Sequence, residues 1–336
     1  MSTPPIELDA PRRASARAGA NFALIKYWGK RDASLNLPDV GSISLTLERL
    51  CTETTVTFDP ALDADDLSLD GRSDPARTPR ISAFLDLLRE RAGVRAFARV
   101  ETANDFPTAA GLASSASGFA ALTVAANAAL DAGWDARTLS ELARIGSGSA
   151  ARSIFGGIVE MHRGERDDGA DSFAEPLAEA GHWPLQVAVA ISTRAEKAVG
   201  STEGMQRTAD TSPFYRAWVE NQPADLAEAR TAIADKDFER LAEVAEGSAL
   251  AMHGLAMSAR PGLLYFNATT MECLHRVRAL RADGVPVFFT VDAGPQVKAI
   301  CEPVALPTVR DALVDVPGVL DVVESGLGPG AEVIDS

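Results

Sequence analysis

Four segments of this 336-residue chain set charged or hydroxyl side chains beside glycine, three in compositions suited to binding an anion and one around a carboxylate. Residues 20–38, ANFALIKYWGKRDASLNLP, read as a strand running into Lys26, Tyr27, Trp28, Gly29, Lys30 and Arg31. Three cations and two aromatic rings around one glycine are costly to bury alone, so this segment either meets an anionic ligand or ends in solvent. Residues 104–122, NDFPTAAGLASSASGFAAL, read as a loop of small residues opening a helix. Backbone N–H groups in such a loop approach a phosphate closely, and the helix N-terminus adds partial positive charge. Ser114 and Ser115 add hydroxyls, but the spacing matches neither GxxxxGK[ST] nor GxGxxG, and a close-packed Ala/Ser helix has the same composition.

Residues 144–157, RIGSGSAARSIFGG, offer Gly146 and Gly148 for tight turning, Ser147 and Ser149 as hydroxyls, and Arg152 as a planar fork for a carboxylate or phosphate. A plain Gly/Ser loop fits the same letters. In residues 288–295, FFTVDAGP, an apolar run ends at Asp292. A carboxylate closing a buried strand is placed as a general base is, although an Asp capping a turn before Gly-Pro is the simpler alternative.

The elements that must position these residues follow from periodicity. Residues 42–58 alternate apolar and small polar side chains and predict two strands in a hairpin. A helical pattern ends at Gly93, a strand covers 96–101, and a nearly all-apolar helix covers 115–132, buried on all sides. A second helix spans 138–145, and strands return near 154–161 and 185–192. From Ser212 the chain is mostly helical, with interruptions expected near Pro223 and Asp235. Strands at 285–291, 296–301 and 318–323 supply a second sheet. The division falls at 1–190 and 191–336, without a flexible linker.

The net charge of −15 disfavours nucleic acid and anionic membrane, and no run of about 18 apolar residues predicts a membrane span. The first 20 residues lack the apolar stretch of a signal peptide; Arg12, Arg13 and Arg17 follow Glu7 and Asp9 without forming an amphipathic face, so a cytoplasmic protein with a short disordered lead-in is expected. Cys51, Cys273 and Cys301 have no zinc or disulfide spacing, and His162, His182, His253 and His275 form no metal-binding pair. Only five lysines occur, two of them Lys26 and Lys30.

Taken in order, KYWGKRD with LNLP, FPTAAGLASSASGFAAL, GSGSAARSIFGG, STEGM and TVDAGP resemble the GHMP kinase superfamily and, within it, its diphosphomevalonate decarboxylase branch, over about residues 20–296. The resemblance implies an α+β fold of two domains, the first with a left-handed βαβ unit and the second ferredoxin-like, with the active site in the cleft between them. It implies phosphorylation of the 3-hydroxyl of (R)-5-diphosphomevalonate by MgATP, then loss of phosphate and carbon dioxide to give isopentenyl diphosphate. Asp292, Lys26, Arg152 and Asn21 are the catalytic residues so implied. The substrate is expected at Tyr27, Trp28, Gly29, Lys30, Arg77, Ser147, Gly148, Ser149, Ala150, Ala151, Arg152, Ser201 and Thr202. ATP is expected at Pro107, Gly111, Leu112, Ala113, Ser114, Ser115 and Ala116, with Mg²⁺ carried on its phosphates beside Ser115. A homodimer is implied by the same resemblance. Gly200, Val40-Gly41 and Gln296 depart from the branch's usual residues, and the first two leave room for altered affinity at the 5-phosphate end. Neighbouring readings are a phosphomevalonate or bisphosphomevalonate decarboxylase, a mevalonate 3-kinase, and a non-catalytic ligand sensor.

Overall fold

The computed structural model describes residues 6–106, 113–195 and 197–334. It is a mixed α/β architecture of two parts, each with its own sheet. In the first sheet, strand Ser42–Asp59 lies at the centre, antiparallel to Arg12–Ile25 along most of its length. Its first half pairs with Ile158–Met161 and its second with Phe97–Asn104. The hairpin expected over 42–58 is therefore absent. Leu50 takes a left-handed φ of 65°, and the register slips from Gly19↔Cys51 to Asn21↔Thr46, so residues 47–50 bulge and the same strand runs on. Within the expected disordered lead-in, Ile6–Glu7 instead pairs with Val94–Arg95 and Arg12 opens the long strand Arg12–Ile25.

Helix α1 (Thr78–Ala92) ends where Gly93 turns left-handed at φ 67°. Helix α2 (Ser114–Leu130) presents Ala116, Ala120, Ala121 and Ala125 to its neighbours at no measurable exposure, as its all-round apolar sequence requires. Helix α3 (Ala136–Gly146) is N-capped by Asp135, and the short α4 (Ala150–Ser153) follows the GSGS turn. These helices cover one face of the sheet around Phe58, Leu85, Phe119 and Leu142.

The second sheet runs in the order Val287–Val291, Val297–Cys301, Gln186–Ile191, Asp321–Gly326, all antiparallel. Because Gln186–Ile191 pairs there, while Glu332–Ile334 returns to pair with Arg12–Ile25, a cut at residue 190 separates a strand from its own sheet. Helices α5 (Ser201–Thr211), α6 (Tyr215–Asp235), α7 (Phe238–Ser258), α8 (Ala268–Ala282) and α9 (Leu306–Val314) complete this half. α6 runs straight through Pro223. Its buried stripe of Trp218, Gln222, Leu226, Ala229 and Ile233 continues on both sides of the proline, so tertiary packing outweighs the lost backbone bond. The expected break after Asp235 is present, with Lys236 left-handed at φ 55° and Asp237 capping α7.

Among the described residues, two apolar clusters join the two halves: in one, Phe22, Leu24 and Leu45 pack with Val187, Leu226, Phe288 and Ile300, and in the other Trp28 and Val40 pack with Met205, Trp218 and Met252. Each such side chain contributes roughly 1.5–3 kcal/mol by leaving water, enough to hold the two sheets in a fixed relation without a linker. The three cysteines are free and buried.

Candidate active site

A cavity of about 510 Å³ lies where the two halves meet. Asp292, immediately after strand Val287–Val291, stands at its wall with a side chain 26% exposed. Its Oδ1 accepts from Lys26 Nζ at 2.7 Å, and its Oδ2 lies 3.3 Å from Lys298 Nζ. Lys26 directly follows strand Arg12–Ile25 and is 1% exposed; it also donates to Ala23 O at 2.8 Å. One carboxylate thus bridges an ammonium from each half. Burial pushes the Asp292 carboxyl up, but the charges of Lys26 and Lys298 outweigh it and hold the group well below the usual carboxylate range. Burial lowers both lysines, and Asp292 offsets part of that.

Arg152, on α4, is 3% exposed, and its hydrogen bonds all go to neutral oxygens: Asn21 Oδ1 from Nε and Nη2, at 3.1 and 2.9 Å, and Ser42 Oγ from Nη1 at 2.8 Å. Asn21 is fixed in turn by donating to Ser149 O at 2.9 Å and Ser153 Oγ at 2.8 Å. Among the described residues no carboxylate forms a salt bridge with Arg152. Desolvation lowers its pKa to about 10, partly countered by Asp292. A buried guanidinium held on neutral acceptors at a cavity wall is prepared to receive an anion.

The KYWGK segment folds over the mouth of this region. Gly29 adopts a φ of 97°, and a Cβ there would stand 1.7 Å from Tyr215 Oη, which donates to Asp39 Oδ2 at 2.5 Å. Tyr27 Oη and Trp28 Nε1 are buried and find no hydrogen-bond partner among the described residues, and both residues line the cavity. Lys30 Nζ lies 3.4 Å from Thr202 Oγ1. Ser147 and Ser149 place their hydroxyls 3.5 Å apart, and Ser115 Oγ is 3.3 Å from Ser147. Gly146 and Gly148 do not take left-handed conformations, contrary to the turning role expected. They are glycine for space: a Cβ at Gly148 would lie 2.3 Å from Tyr27 Oη, and one at Gly146 would lie 2.2 Å from the Phe119 ring. Ala150 and Ala151 are buried within α4.

Three basic residues at the site escaped the sequence reading. Lys197 donates to Ser201 Oγ at 2.7 Å and to Ala293 O at 2.9 Å, and burial pushes its pKa down to about 8. Lys298 is the second cation on Asp292. Arg80 lies on α1 over the Phe119 ring at 4.8 Å and donates to Gly146 O at 2.9 Å. Arg77 also lines the cavity but is half-exposed and ion-paired with Asp74 at 2.5 Å. The scarcity of lysine was the available signal: four of the five in the chain, all but Lys236, gather here. The arginine lies one helical turn beyond the position the sequence suggested.

The first turn of α2 lines the opposite side of the cavity through Ala113, Ser114 and Ser115. Beyond them lie Thr54, Val100, Thr102 and Phe119, so hydroxyls and a helix N-terminus border an apolar wall, a donor set that fits a nucleotide. Pro107, Gly111 and Leu112 lie outside the described residues. Among the described residues no group of three or more His, Cys, Asp or Glu side chains is arranged to hold a metal. The histidines serve other ends; His253, stacked on Phe266 at 4.0 Å and pushed down to about 3 by burial, is neutral.

Two family models cover most of the chain: the diphosphomevalonate decarboxylase-like N-terminal domain matches residues 18–174, and the mevalonate 5-diphosphate decarboxylase C-terminal domain matches residues 187–320. The diphosphomevalonate decarboxylase of Gibberella zeae is 39% identical over 302 residues, 84% of this chain and 79% of the relative. The crystal structure of mevalonate diphosphate decarboxylase from Staphylococcus aureus superposes with a TM-score of 0.91 at 41% identity, covering 97% of this chain and 98% of that one. A structure described as MDDEF in complex with MVAPP, AMPPCP and magnesium gives a TM-score of 0.90 at 42% identity, covering 97% and 100%. With both halves of the chain matched in order and the cleft between them built from the residues described, this chain belongs to the diphosphomevalonate decarboxylase family.

Proposed function

We propose that the chain catalyses the ATP-dependent decarboxylation of (R)-5-diphosphomevalonate to isopentenyl diphosphate, ADP, phosphate and carbon dioxide, a step of isoprenoid synthesis. The observation that carries this reading is the pairing of Asp292, held between two ammoniums, with the buried, carboxylate-free Arg152 in one cavity. A structural relative is described as holding MVAPP, AMPPCP and magnesium, in line with a diphosphate substrate and MgATP.

In this reading Asp292 accepts the hydrogen bond of the tertiary 3-hydroxyl and takes its proton as the new O–P bond forms, while Lys26 keeps the carboxylate ionised. Arg152, oriented by Asn21, grips the substrate carboxylate so that the breaking C–C bond aligns with the forming alkene as phosphate departs. Lys30, Tyr27, Ser147, Ser149, Ser201 and Thr202 receive the 5-diphosphate; Trp28 and Gly148 line its pocket, Gly29, Ala150 and Ala151 contribute from outside the lining, and Arg80 joins Arg77 as a basic contact. Ala113–Ala116 would hold the ATP phosphates, and Ser115 would stand beside the Mg²⁺ they carry, which would shield phosphate charge. The reading further includes a cytoplasmic homodimer, on family resemblance, and a domain boundary in the loop before Gln186.

A kinase that stopped after phosphoryl transfer would have no use for a buried guanidinium committed to a carboxylate, which favours the lyase over a mevalonate 3-kinase. The gathering of Lys30, Lys197 and Arg80 favours a diphosphate over a monophosphate. Parallel release of ADP and carbon dioxide from the two substrates tests both choices.

A further inference from the structure

Lys298 lies in mid-strand on Val297–Cys301, opposite Thr290 on one neighbour and Val189 on the other, with a side chain at 0% exposure. Its face of the sheet is mostly apolar: the Phe22 ring centroid is 4.6 Å from Nζ, and Phe288, Ile300 and Val189 point to the same side. A lysine inside such a run is unfavourable to the fold, and packing alone would be served by a methionine. Its ammonium lies 3.3 Å from Oδ2 of Asp292, the carboxylate whose Oδ1 accepts from Lys26.

On the decarboxylase reading above, we infer that Lys298 is a positioning residue for phosphoryl transfer: with Lys26 hydrogen-bonded to Oδ1 and Lys298 ion-paired with Oδ2, the Asp292 carboxylate is drawn to one rotational setting and is a hydrogen-bond acceptor for the hydroxyl rather than a strong base. Phosphoryl transfer through a loose transition state asks more of the nucleophile's alignment than of its prior deprotonation. The O–H bond breaks as O–P forms, the proton passing to Asp292 and the bridging electron pair leaving with ADP. Among the described residues, the charged and titratable groups facing Asp292 are Lys26, Lys298, Lys197 before α5, Arg152 on α4 and the neutral His253 on α7. Of these, Lys26 and Lys298 are its ion-pair partners.

The test uses the full chain carrying Lys298→Met or Lys298→Gln, with thermal melting to confirm folding and kcat and KM measured from about pH 4.5 to 9. Wild type is expected to show no Asp292-dependent acid limb in that range. Each variant is expected to lose about 10-fold in kcat with KM for diphosphomevalonate within about twofold, and to show an acid limb of kcat/KM raised by about one pH unit or more. An unchanged acid limb in folded variants, a loss proportional only to unfolded protein, or failure of both variants to fold would each overturn the inference in favour of a packing role. A wild type without turnover would remove the decarboxylase reading and this inference together, whereas an active wild type with unresponsive variants overturns the inference alone.

Discussion

Arg152 and Asn21, 131 positions apart in the chain, are joined by a two-pronged hydrogen bond in which Nε and Nη2 both donate to the same amide oxygen. The contact sets the plane of the guanidinium without neutralising it. Asn21→Ala should leave a buried guanidinium short of an acceptor, costing about 1–3 kcal/mol of stability and lowering kcat on the order of 100-fold through misalignment. Asn21→Asp should keep an acceptor for Arg152 and satisfy its charge but lose the donor to Ser149 O, so a raised KM for diphosphomevalonate, read by steady-state kinetics, should come with some loss of stability.

Arg80 and Arg77 separate a built contact from a peripheral one. Arg80→Ala removes a cation that is anchored on Gly146 O and the Phe119 ring rather than on a carboxylate, and should raise KM for the diphosphate substrate about 10-fold. Arg77→Ala removes a half-exposed group already paired with Asp74 and should change KM only about threefold. The reverse ranking would restore the sequence expectation.

Much of the site was readable because catalysis needs residue types that are unusual in their setting. Asp292 ends an apolar strand, and Lys26 with Arg152 sits beside glycine and serine, so each stands out locally. Lys298 is equally conspicuous within VKAIC, but its partner is set by cross-strand register, which no local window contains. Lys197 lies in a polar stretch where lysine is ordinary, and only the folded loop brings it to Ser201. On the fold, long periodic elements were predicted well. The hairpin over 42–58 failed because a bulge and a turn share the same letters, and Pro223 misled because the packing of α6 overrides it.

Gly148→Ala should be tolerated by the backbone but not by Tyr27, whose hydroxyl would stand 2.3 Å from the new Cβ. The expected result is a loss of about 1–3 kcal/mol in transition-state stabilisation, visible in kcat/KM. Tyr27→Phe in the same chain should recover part of it by shortening the ring that collides.

Lys197 sets opposite pH dependences for activity and stability. Its pKa is pushed down to about 8, so above that pH the free enzyme loses a cation at the anion site and kcat/KM should fall. An unfolded lysine titrates near 10.4, so between about pH 8 and 10.4 the unfolded chain binds more protons and this group's contribution to stability rises with pH. Lys197→Arg should shift the alkaline limb of kcat/KM upward, as pH-rate profiles would report; a limb unmoved by the variant assigns it elsewhere.

The central claim is tested by measuring ADP and ¹⁴CO₂ together from carboxyl-labelled (R)-5-diphosphomevalonate and 5-phosphomevalonate with MgATP, comparing wild type with Asp292→Asn. Equal release of both products, preferring the diphosphate and abolished by the substitution, is the predicted result. Release of ADP without carbon dioxide, or full turnover by Asp292→Asn, would contradict it.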